Sequence, residues 1–265
     1  MVATMRSSSL FTALNLIGEG SQAKVFSALD QTGQQVAIKV YETENLGCFQ
    51  EARILERIKK LELQHSPKIH CSFVERNKLF IVTDFCPGVE LHNHLTSNCL
   101  SFSEVRTIFR KILIAVSELH ENNICHLDLK IENIIYDTRN KKIKLIDFGF
   151  SQFTEENNQN KLIKRFCGSI HYSSPEIVQN VPFDGKKADI WALGVILFVL
   201  IAERFPFVGD GNDSVTSVAY QILTQQIPFD SQFNNLGINI ISIMMGRLPE
   251  RRPSLKSLLQ HPFFL

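Results

Sequence analysis

Alternating hydrophobic and polar positions predict a strand-rich first third of the chain. Runs of this kind lie near residues 15–17, 24–28 and 36–41, and two more lie at 69–74 and 79–83. Between the third and fourth runs, apolar residues recur at every third position, which is typical of one face of a helix. These apolar residues are Phe49, Ala52, Leu55, Ile58 and Leu61. The pattern therefore predicts an antiparallel sheet of five strands, interrupted by one helix.

The hydrophobic pattern changes to a helical spacing after Pro87-Gly88. Ser101 and Glu104 could form a capping box, and apolar residues follow them at helical spacing. The apolar run at 190–202 is shorter than the roughly 20 residues that span a bilayer, so it predicts a buried helix. The polar stretch from Thr154 to Lys161 predicts an exposed loop.

A small antiparallel sheet followed by a larger helical region predicts an α+β fold with two lobes and a cleft between them. We place the N-terminal lobe at residues 11–83, a connection at 84–88 and the C-terminal lobe at 89–265, with a short extension at 1–10. Clefts of this kind commonly hold ligands. Residues that face the cleft are therefore the first candidates for function.

The balance of charges excludes several classes of function. The 265 residues include 28 Lys or Arg and 27 Asp or Glu, which gives a net charge of +1 without a basic block. Binding to nucleic acid or to an acidic membrane requires clustered cations, so we expect neither, and we expect no membrane insertion. The six cysteines form no C-x-x-C pair, and residues 1–10 contain no apolar signal sequence. We therefore expect reduced thiols and a cytoplasmic or nuclear location.

Two short motifs in the predicted sheet are candidates for binding a nucleotide. Gly18-Glu19-Gly20 lies between two strands, where glycines let backbone N–H groups approach a polyphosphate, although a Gly-x-Gly hairpin turn explains the motif equally well. Lys39 lies on the third strand and, by itself, is typical of a solvent-exposed lysine. A carboxylate partner on the following helix would change that interpretation, and Glu51 and Glu56 are the two candidates.

The strongest cluster of polar residues lies in two neighbouring segments of the second lobe. The first is His126-Leu127-Asp128-Leu129-Lys130-Ile131-Glu132-Asn133, and the second is a strand that ends in Asp147-Phe148-Gly149. Asp128 provides a proton acceptor, and Asn133 and Asp147 provide two oxygen ligands for a hard cation such as Mg²⁺. The polar residues of either segment alone are ordinary for a loop. The order of the two segments after the glycine motif and Lys39, however, favours phosphoryl transfer.

Taken in this order, the motifs resemble those of the eukaryotic protein kinase family, from about Phe11 to Phe264. Further matching segments are Phe166-Cys167-Gly168-Ser169, Ser174-Pro175-Glu176, Asp189-Ile190-Trp191-Ala192-Leu193-Gly194, Arg251-Arg252-Pro253-Ser254 and His261-Pro262-Phe263-Phe264. Within the family, the chain is most similar to Ser/Thr kinases of the calmodulin-dependent and AMP-activated type, and Lys130 is the residue that Ser/Thr kinases carry. The resemblance implies the two-lobed kinase fold and transfer of the γ-phosphate of ATP to Ser or Thr hydroxyls of protein substrates. It also implies a buried ion pair between Glu176 and Arg252.

The resemblance implies a role for each candidate residue. Lys39, held by Glu51, would bind the α- and β-phosphates of ATP, and Asn133 and Asp147 would bind Mg²⁺. Asp128 would orient the substrate hydroxyl and accept its proton. Lys130 would steady the transferred group. The nucleotide site would comprise Ile17, Gly18, Glu19, Gly20, Ser21, Gln22, Ala23, Lys24, Val25, Ala37, Lys39, Thr83, Asp84, Cys86, Glu90, Ile135 and Asp147.

Departures from the family pattern change what we expect of regulation and substrate choice. Leu127 occupies the position where an Arg usually precedes the catalytic Asp, and Arg165 occupies the position that is usually phosphorylated. Because the receptor and the phosphate site are both missing, we predict an activity that requires no phosphorylation of the activation loop. Glu90 and Glu132 match carboxylates that bind upstream arginines in related kinases, whereas Val199 replaces a third one. We therefore predict a preference for one Arg, three residues before the Ser or Thr.

A second interpretation is an inactive kinase fold that serves as a scaffold or an allosteric partner. Inactive members usually lose the Lys, the catalytic Asp or the metal-binding Asp, but Lys39, Asp128 and Asp147 are all present. The sequence therefore favours the enzyme. We also expect a monomer without a regulatory tail after Leu265, and the sequence does not specify its substrate proteins or any regulatory partner.

Overall fold

The computed structural model describes residues 10–20, 23–43, 48–156, 159–164, 168–209 and 214–265. The chain begins with an antiparallel sheet in the strand order β1-β2-β3-β5-β4. The strands are β1 (Thr12–Glu19), β2 (Ala23–Leu29), β3 (Gln35–Glu42), β4 (Ile69–Glu75) and β5 (Lys78–Asp84). Helix α1 (Cys48–Lys60) connects β3 to β4. The five strands and the helix between them are those that the hydrophobic pattern predicts.

The two faces of this sheet bury different side chains. On one face, α1 packs through Leu55 and Ile58, which belong to the main hydrophobic core. On the other face, Ile38 and Val82 belong to a separate apolar cluster. Successive residues of a strand point to opposite faces, so Lys39 points toward α1. The strand therefore directs an ammonium group toward the helix.

The second lobe contains most of the helices and several short strands. Its strands include β6 (Val89–Glu90), β7 (Ile124–Cys125), β8 (Ile134–Asp137) and β9 (Lys142–Leu145), and β6, β8 and β9 form one sheet. Its helices are α2 (Leu91–Ser97), α3 (Phe102–Glu121), α4 (Pro175–Val178), α5 (Gly185–Ala202), α6 (Val215–Thr224), α7 (Asn235–Met244) and α8 (Leu255–Leu258). A small sheet lobe followed by a larger helical lobe confirms the predicted α+β fold.

Two helices of the second lobe behave as the sequence predicts. At the start of α3, the Ser101 side chain accepts a hydrogen bond from the Glu104 N–H, and Glu104 Oε2 accepts one from the Ser101 N–H at 2.9 Å. Helix α5 is buried on nearly every side and packs against α3 and α7, so it forms the centre of the lobe. Within the described ranges, no helix combines the length and the apolar character needed to cross a membrane.

The described residues between Thr154 and Lys161 differ in part from the predicted exposed loop: Glu155 and Lys161 are exposed, but the segment also contains strand pairing and a buried threonine. Thr154 is 6% exposed, and its N–H donates to the Asn123 carbonyl oxygen at 2.8 Å. The strands in this region are β10 (Gln152–Phe153), β11 (Glu155–Glu156) and β12 (Gln159–Asn160). Strand β10 pairs with β7, and β11 pairs with β12. The sequence did not predict this pairing because polar side chains do not prevent it, since strand pairing uses only backbone N–H and C=O groups.

Candidate active site

Three charged side chains from distant parts of the chain meet at the inner face of the sheet. Lys39 Nζ lies 3.1 Å from Glu51 Oε1 on α1 and 2.6 Å from Asp147 Oδ1, which follows β9. Glu56, the alternative partner, is exposed on the same helix. Glu51 is 3% exposed, whereas the Asp147 side chain is 40% exposed and lines the cleft. Lys39 is therefore anchored from the interior and linked to a carboxylate that ligands can reach.

The charges of this cluster stabilise one another. Burial alone would lower the pKa of Lys39, but the carboxylates of Glu51 and Asp147 raise it above its ordinary value. Burial alone would raise the pKa of Asp147, but Lys39 and the Gly149 N–H hold it below its ordinary value. Lys39 and Asp147 are therefore both charged at neutral pH, and Lys39 presents a fixed cation that suits phosphate oxygens.

A second group of polar side chains surrounds Asp128 in the loop before β8. Asp128 Oδ2 lies 3.0 Å from Lys130 Nζ and accepts a hydrogen bond of 3.0 Å from Asn133 Nδ2. Asp128 Oδ1 accepts hydrogen bonds from the N–H and the hydroxyl of Ser169, at 3.1 and 3.2 Å. These contacts fix the orientation of the Asp128 carboxylate beside a lysine and beside the segment that leads to α4.

The backbone is held in the left-handed region at Asp147 and at Leu127, the residue before Asp128. The φ angle is 64° at Leu127 and 62° at Asp147. The buried carboxylate of Asp189, on α5, accepts hydrogen bonds of 2.8 Å from the N–H groups of His126 and Leu127. Such conformations persist only where the surroundings enforce them, and they cluster at functional sites. The central helix therefore holds the Asp128 loop in its shape.

Asn133 and Asp147 offer oxygen atoms that suit Mg²⁺. Nδ2 of Asn133 donates to Asp128 at 2.8 and 3.0 Å, so the amide oxygen of Asn133 is directed away from Asp128. Both Asn133 and Asp147 line the cleft. In the part of the chain that the structure describes, no group of three or more His, Cys, Asp or Glu side chains could hold a metal ion. A two-residue site fits Mg²⁺, which keeps several waters and binds through one or two protein ligands plus phosphates.

The cleft between the lobes contains a cavity of about 550 Å³. This volume is within the range of small-molecule sites. The predicted nucleotide-site residues that line it are Ile17, Gly18, Val25, Ala37, Lys39, Thr83, Asp84, Cys86, Glu90, Ile135 and Asp147. Val25 and Ala37 come from the sheet, and Ile135 comes from β8 in the other lobe. The cavity therefore presents apolar side chains from both lobes, as a site for a flat aromatic base requires.

Of the six remaining predicted nucleotide-site residues, four are described by the structure and do not line the cavity. Those that are described but do not line it are Glu19, Gly20, Ala23 and Lys24. Glu19 and Lys24 pair with each other across the β1–β2 hairpin at 2.9 Å, and both side chains are 56% exposed. The other two residues, Ser21 and Gln22, lie outside the described residues.

Sequence reasoning missed several residues of this site, among them Tyr41, Phe85 and Asn93. Phe85 and Asn93 line the cavity, and Tyr41 donates a hydrogen bond to Glu51. Strand alternation could have identified Tyr41, since it follows Lys39 by two residues and shares its face of the sheet. Phe85 belongs to the connection between the lobes, where no periodic pattern exists.

Leu127 lies in an apolar cluster of the second lobe. It is 6% exposed and lies among Cys125, Ile163, Ile177, Phe183 and Ala188. Ile163 and Phe183 also exchange two backbone hydrogen bonds, of 2.9 and 3.0 Å. Apolar contacts therefore bind the segment after Gly149 to the Asp128 loop. Arg165, the residue at the usual phosphorylation position, lies outside the described residues.

Glu176 and Arg252 form the buried ion pair that the resemblance implies. The two guanidinium NH groups of Arg252 lie 2.6 and 2.8 Å from the two Glu176 carboxylate oxygens. Arg252 also donates to the carbonyl oxygens of Gly246 and Lys187, at 2.8 and 2.9 Å. Its guanidinium carbon lies 5.2 Å from the ring centre of Trp191. This network ties α4 to the segment before α8.

Several known proteins that are similar to this chain are named as kinases. Residues 11–264 match the family described as Protein kinase domain. The chain is 32% identical over 256 residues to a putative serine/threonine-protein kinase of Saccharomyces cerevisiae, which covers 96% of the chain and 27% of the relative. It is 33% identical over 257 residues to CBL-interacting protein kinase 3 of Oryza sativa subsp. japonica, which covers 94% of the chain and 56% of the relative. It is 36% identical over 219 residues to NUAK family SNF1-like kinase 2 of Homo sapiens, which covers 81% of the chain and 33% of the relative.

The family match extends over nearly the whole chain, and the relatives include several named kinases. The chain spans between 27% and 56% of the length of these three relatives. The resemblance to Ser/Thr kinases of the calmodulin-dependent and AMP-activated type is confirmed. The chain therefore belongs to the protein kinase family.

Proposed function

We propose that this chain transfers the γ-phosphate of ATP to Ser and Thr hydroxyl groups of proteins. The observation that carries the proposal is that Lys39, Glu51 and Asp147 meet at a cavity of about 550 Å³. Asp128 and Lys130 pair with each other in the loop before β8, which we call the catalytic loop. Phosphoryl transfer depends on positioning and on charge stabilisation more than on covalent help. These five side chains supply both.

On the nucleotide side, Lys39 binds phosphate oxygens through an ammonium group that Glu51 holds in place. Because Lys39 is already oriented, it does not have to be reorganised when charge develops on the phosphoryl group. Asn133 and Asp147 would hold Mg²⁺, which neutralises phosphate charge when it is bound. The aromatic base would lie between the apolar residues that the two lobes contribute to the cavity.

On the acceptor side, Asp128 orients the substrate hydroxyl and accepts its proton. Lys130 Nζ lies 3.0 Å from Asp128 Oδ2 and 3.2 Å from Ser169 Oγ. A cation at this place stabilises the negative charge on the transferred phosphoryl oxygens. Since Ser169 lies in the segment before α4, its hydrogen bonds to Asp128 also align that segment with the proton acceptor.

The test is transfer of phosphate from MgATP to a Ser-containing peptide. We expect Asp147→Asn and Glu51→Gln to lower kcat/KM, the former by about 100-fold or more. Glu56→Gln is the matched control, because it changes an exposed carboxylate on the same helix as Glu51. If Asp147→Asn keeps full turnover, or if the unmodified protein binds MgATP without transferring phosphate, the inactive scaffold is the better interpretation.

We further propose that this activity requires no phosphate on the activation loop. Leu127 lies in an apolar pocket rather than in a cationic receptor, and the bridge between Ile163 and Phe183 already holds the segment. Two hydroxyls of that segment that could be phosphorylated, Ser151 and Thr154, are 0% and 6% exposed. A kinase acting on either of these two hydroxyls would first have to unfold that part of the segment, which supports an active state that forms without their modification.

The measurement is turnover before and after phosphatase treatment, with mass spectrometry to confirm that phosphate is removed. We expect the two rates to agree. If the treated protein loses most of its turnover, or if phosphate on Ser151, Thr154 or Ser169 proves necessary, the proposal is wrong.

We also propose a preference for one Arg three residues before the acceptor. Glu90 and Glu132 both line the cleft, and Glu132 Oε2 lies 3.4 Å from the Tyr172 hydroxyl. Paired hydrogen bonds between a guanidinium and a carboxylate make such selection geometrically sharp. Val199 is buried in α5 and brings no third carboxylate, so a second upstream Arg should add little.

The preference is measured as kcat/KM for peptides with Arg or Ala three residues before the Ser. We expect the Arg peptide to be favoured about 10-fold, which corresponds to one charged hydrogen-bonded pair, and we expect Glu90→Gln to reduce that ratio while Glu56→Gln leaves it unchanged. Selection for acidic or proline-containing peptides would refute the proposal.

A further inference from the structure

Tyr41 contributes a hydroxyl group to the Lys39–Glu51 ion pair. It follows Lys39 by two residues on β3, so the two side chains lie on the same face of the sheet. The phenol donates a hydrogen bond to Glu51 Oε2, while Lys39 Nζ lies 3.1 Å from the other oxygen, Oε1. Both oxygens of one carboxylate are therefore bound by side chains of a single strand.

This arrangement restricts Glu51 more than the ion pair alone would. Tyr41 and Glu51 are each 3% exposed, so water cannot replace a missing partner. A single contact would let the carboxylate rotate about it, whereas two contacts from one strand define its plane. Because Glu51 belongs to α1, the phenol also joins the helix to the sheet. Any outward movement of α1 would break a hydrogen bond in addition to the ion pair.

The phenol also reaches the segment that carries Asp147. A Cβ atom placed on Gly149 would lie 3.1 Å from Tyr41 Oη and 3.2 Å from Asp147 Oδ1. The Lys39 Nζ lies 5.1 Å from the centre of the Tyr41 ring, within the distance of a cation–π contact. Tyr41 therefore contacts Lys39 on its own strand and Glu51 on the helix, and its hydroxyl lies close to the segment after β9 that carries Asp147.

Packing of the core alone would not require this hydroxyl. Phenylalanine fills the same volume without a polar atom, and burying a hydroxyl is unfavourable unless it is hydrogen-bonded. Burial and the negative charge of Glu51 both raise the pKa of the Tyr41 phenol. The phenol therefore keeps its proton through the neutral range and remains a donor to Glu51.

We propose that Tyr41 is a positioning residue that holds α1 and Glu51 in the arrangement in which Lys39 binds phosphate. The inference rests on the proposed kinase activity and assigns to this site a neutral contact that favours the active position of the helix. In kinases, the position of this helix is commonly controlled by phosphorylation of the activation loop. The hydrogen bond between Tyr41 and Glu51 lies within the sheet lobe and would hold α1 in its active position without a phosphate.

The test compares two Tyr→Phe variants in the full chain. Tyr41→Phe removes one oxygen and leaves the ring in place. Tyr136→Phe is the matched control, because Tyr136 is also buried, at 5% exposed, but lies on β8 in the other lobe. We expect Tyr41→Phe to lower kcat/KM for MgATP about 10-fold, which is the magnitude of a hydrogen bond to a charged group. Tyr136→Phe should stay close to the unmodified protein.

Two readouts separate positioning from a general loss of stability. Amide hydrogen exchange in Tyr41→Phe should accelerate in α1 but not in α5, because only α1 loses a hydrogen bond to Tyr41. In addition, Tyr41→Phe should cause no further loss of kcat/KM when it is combined with Glu51→Ala, since the phenol acts through that carboxylate.

Three results would overturn the inference: a loss of kcat/KM no larger than that of Tyr136→Phe, unchanged exchange in α1, or an equal loss in the Glu51→Ala background. Hydrogen exchange requires no turnover. If the unmodified protein transfers no phosphate, the proposed function fails, yet the exchange rates still show whether Tyr41 holds the helix.

Discussion

Replacing Leu127 by Arg would restore the residue most common in the family, and we expect it to destabilise this chain. Leu127 is 6% exposed, and the buried cluster around it consists of apolar and thiol side chains. A guanidinium placed there would be a buried charge among apolar side chains, and the nearby Asp189 carboxylate already accepts hydrogen bonds from the N–H groups of His126 and Leu127. The backbone at this position has a φ of 64°, and Leu, Arg and Met tolerate it similarly because none of them is β-branched.

The expected magnitude follows from the burial. An uncompensated buried charge costs about 3–5 kcal/mol, which is a large part of the 5–15 kcal/mol that typically stabilises a folded domain. Leu127→Met is the matched control, because a volume-conserving apolar exchange usually costs less than about 1.5 kcal/mol. Unfolding by urea can be followed through the fluorescence of Trp191, the only tryptophan, which is buried on α5.

The result that would refute this reasoning is equal stability of Leu127→Arg and Leu127→Met. It would mean that the arginine reaches a partner or water from this position. The apolar cluster would then not hold the segment after Gly149 against the catalytic loop. In that case the pocket could still receive a phosphate, and the proposal of phosphate-independent activity would lose its main support.

Three further predictions concern other parts of the site. Arg252→Met leaves the Glu176 carboxylate buried without its cation, so the free energy of unfolding should fall by about 3–5 kcal/mol in urea titrations, and adding Glu176→Leu should recover part of it. Gly168→Ala places a Cβ 2.6 Å from a backbone carbonyl oxygen of the catalytic loop, whereas Gly33→Ala, at a similar φ, meets nothing within 4 Å; only the former should lower kcat, and equal losses would contradict the steric argument. Burial raises the pKa of Cys86 from 9.0 to about 11, which lowers its thiolate fraction at pH 7.5 about 100-fold. Iodoacetamide should therefore label Cys86 slowly at pH 7.5 and faster as the pH rises toward 11, and labelling at the rate of a free cysteine would contradict this.

Much of the fold follows from periodicity, because its elements bury one regular face. The residue pattern around Lys39 leaves Glu51 and Glu56 as alternatives, and the family resemblance selects Glu51; the helix geometry alone contains the same answer. At 100° per residue, Glu51 lies about 20° from Ile58 around the helix and Glu56 about 160° from it. Since Ile58 is buried, Glu51 is the carboxylate that faces the sheet.

Other features depend on contacts that no local pattern encodes. Strand alternation places Tyr41 on the face of Lys39, but its hydrogen bond to Glu51 depends on the position of α1 against the sheet. The apolar cluster at Leu127 needs Ile163 and Phe183 to meet it, and these residues are brought together by a backbone bridge in a segment without hydrophobic periodicity. Residue types therefore predict which side chains belong to the site, whereas tertiary packing determines which of these side chains are in contact.

The charges assembled at this site lead to one more conclusion about the nucleotide. Lys39 and Lys130 are cations, and Glu51, Asp128 and Asp147 are carboxylates, so the five groups carry a formal net charge of −1 at neutral pH (+2 − 3). The whole chain has a net charge of only +1 and provides no broad attraction for an anion. A triphosphate that enters the cavity alone would therefore meet net repulsion close to Asp147. A divalent cation reverses the local sign, which is why binding of the nucleotide to this chain should depend on Mg²⁺ more than on any single lysine.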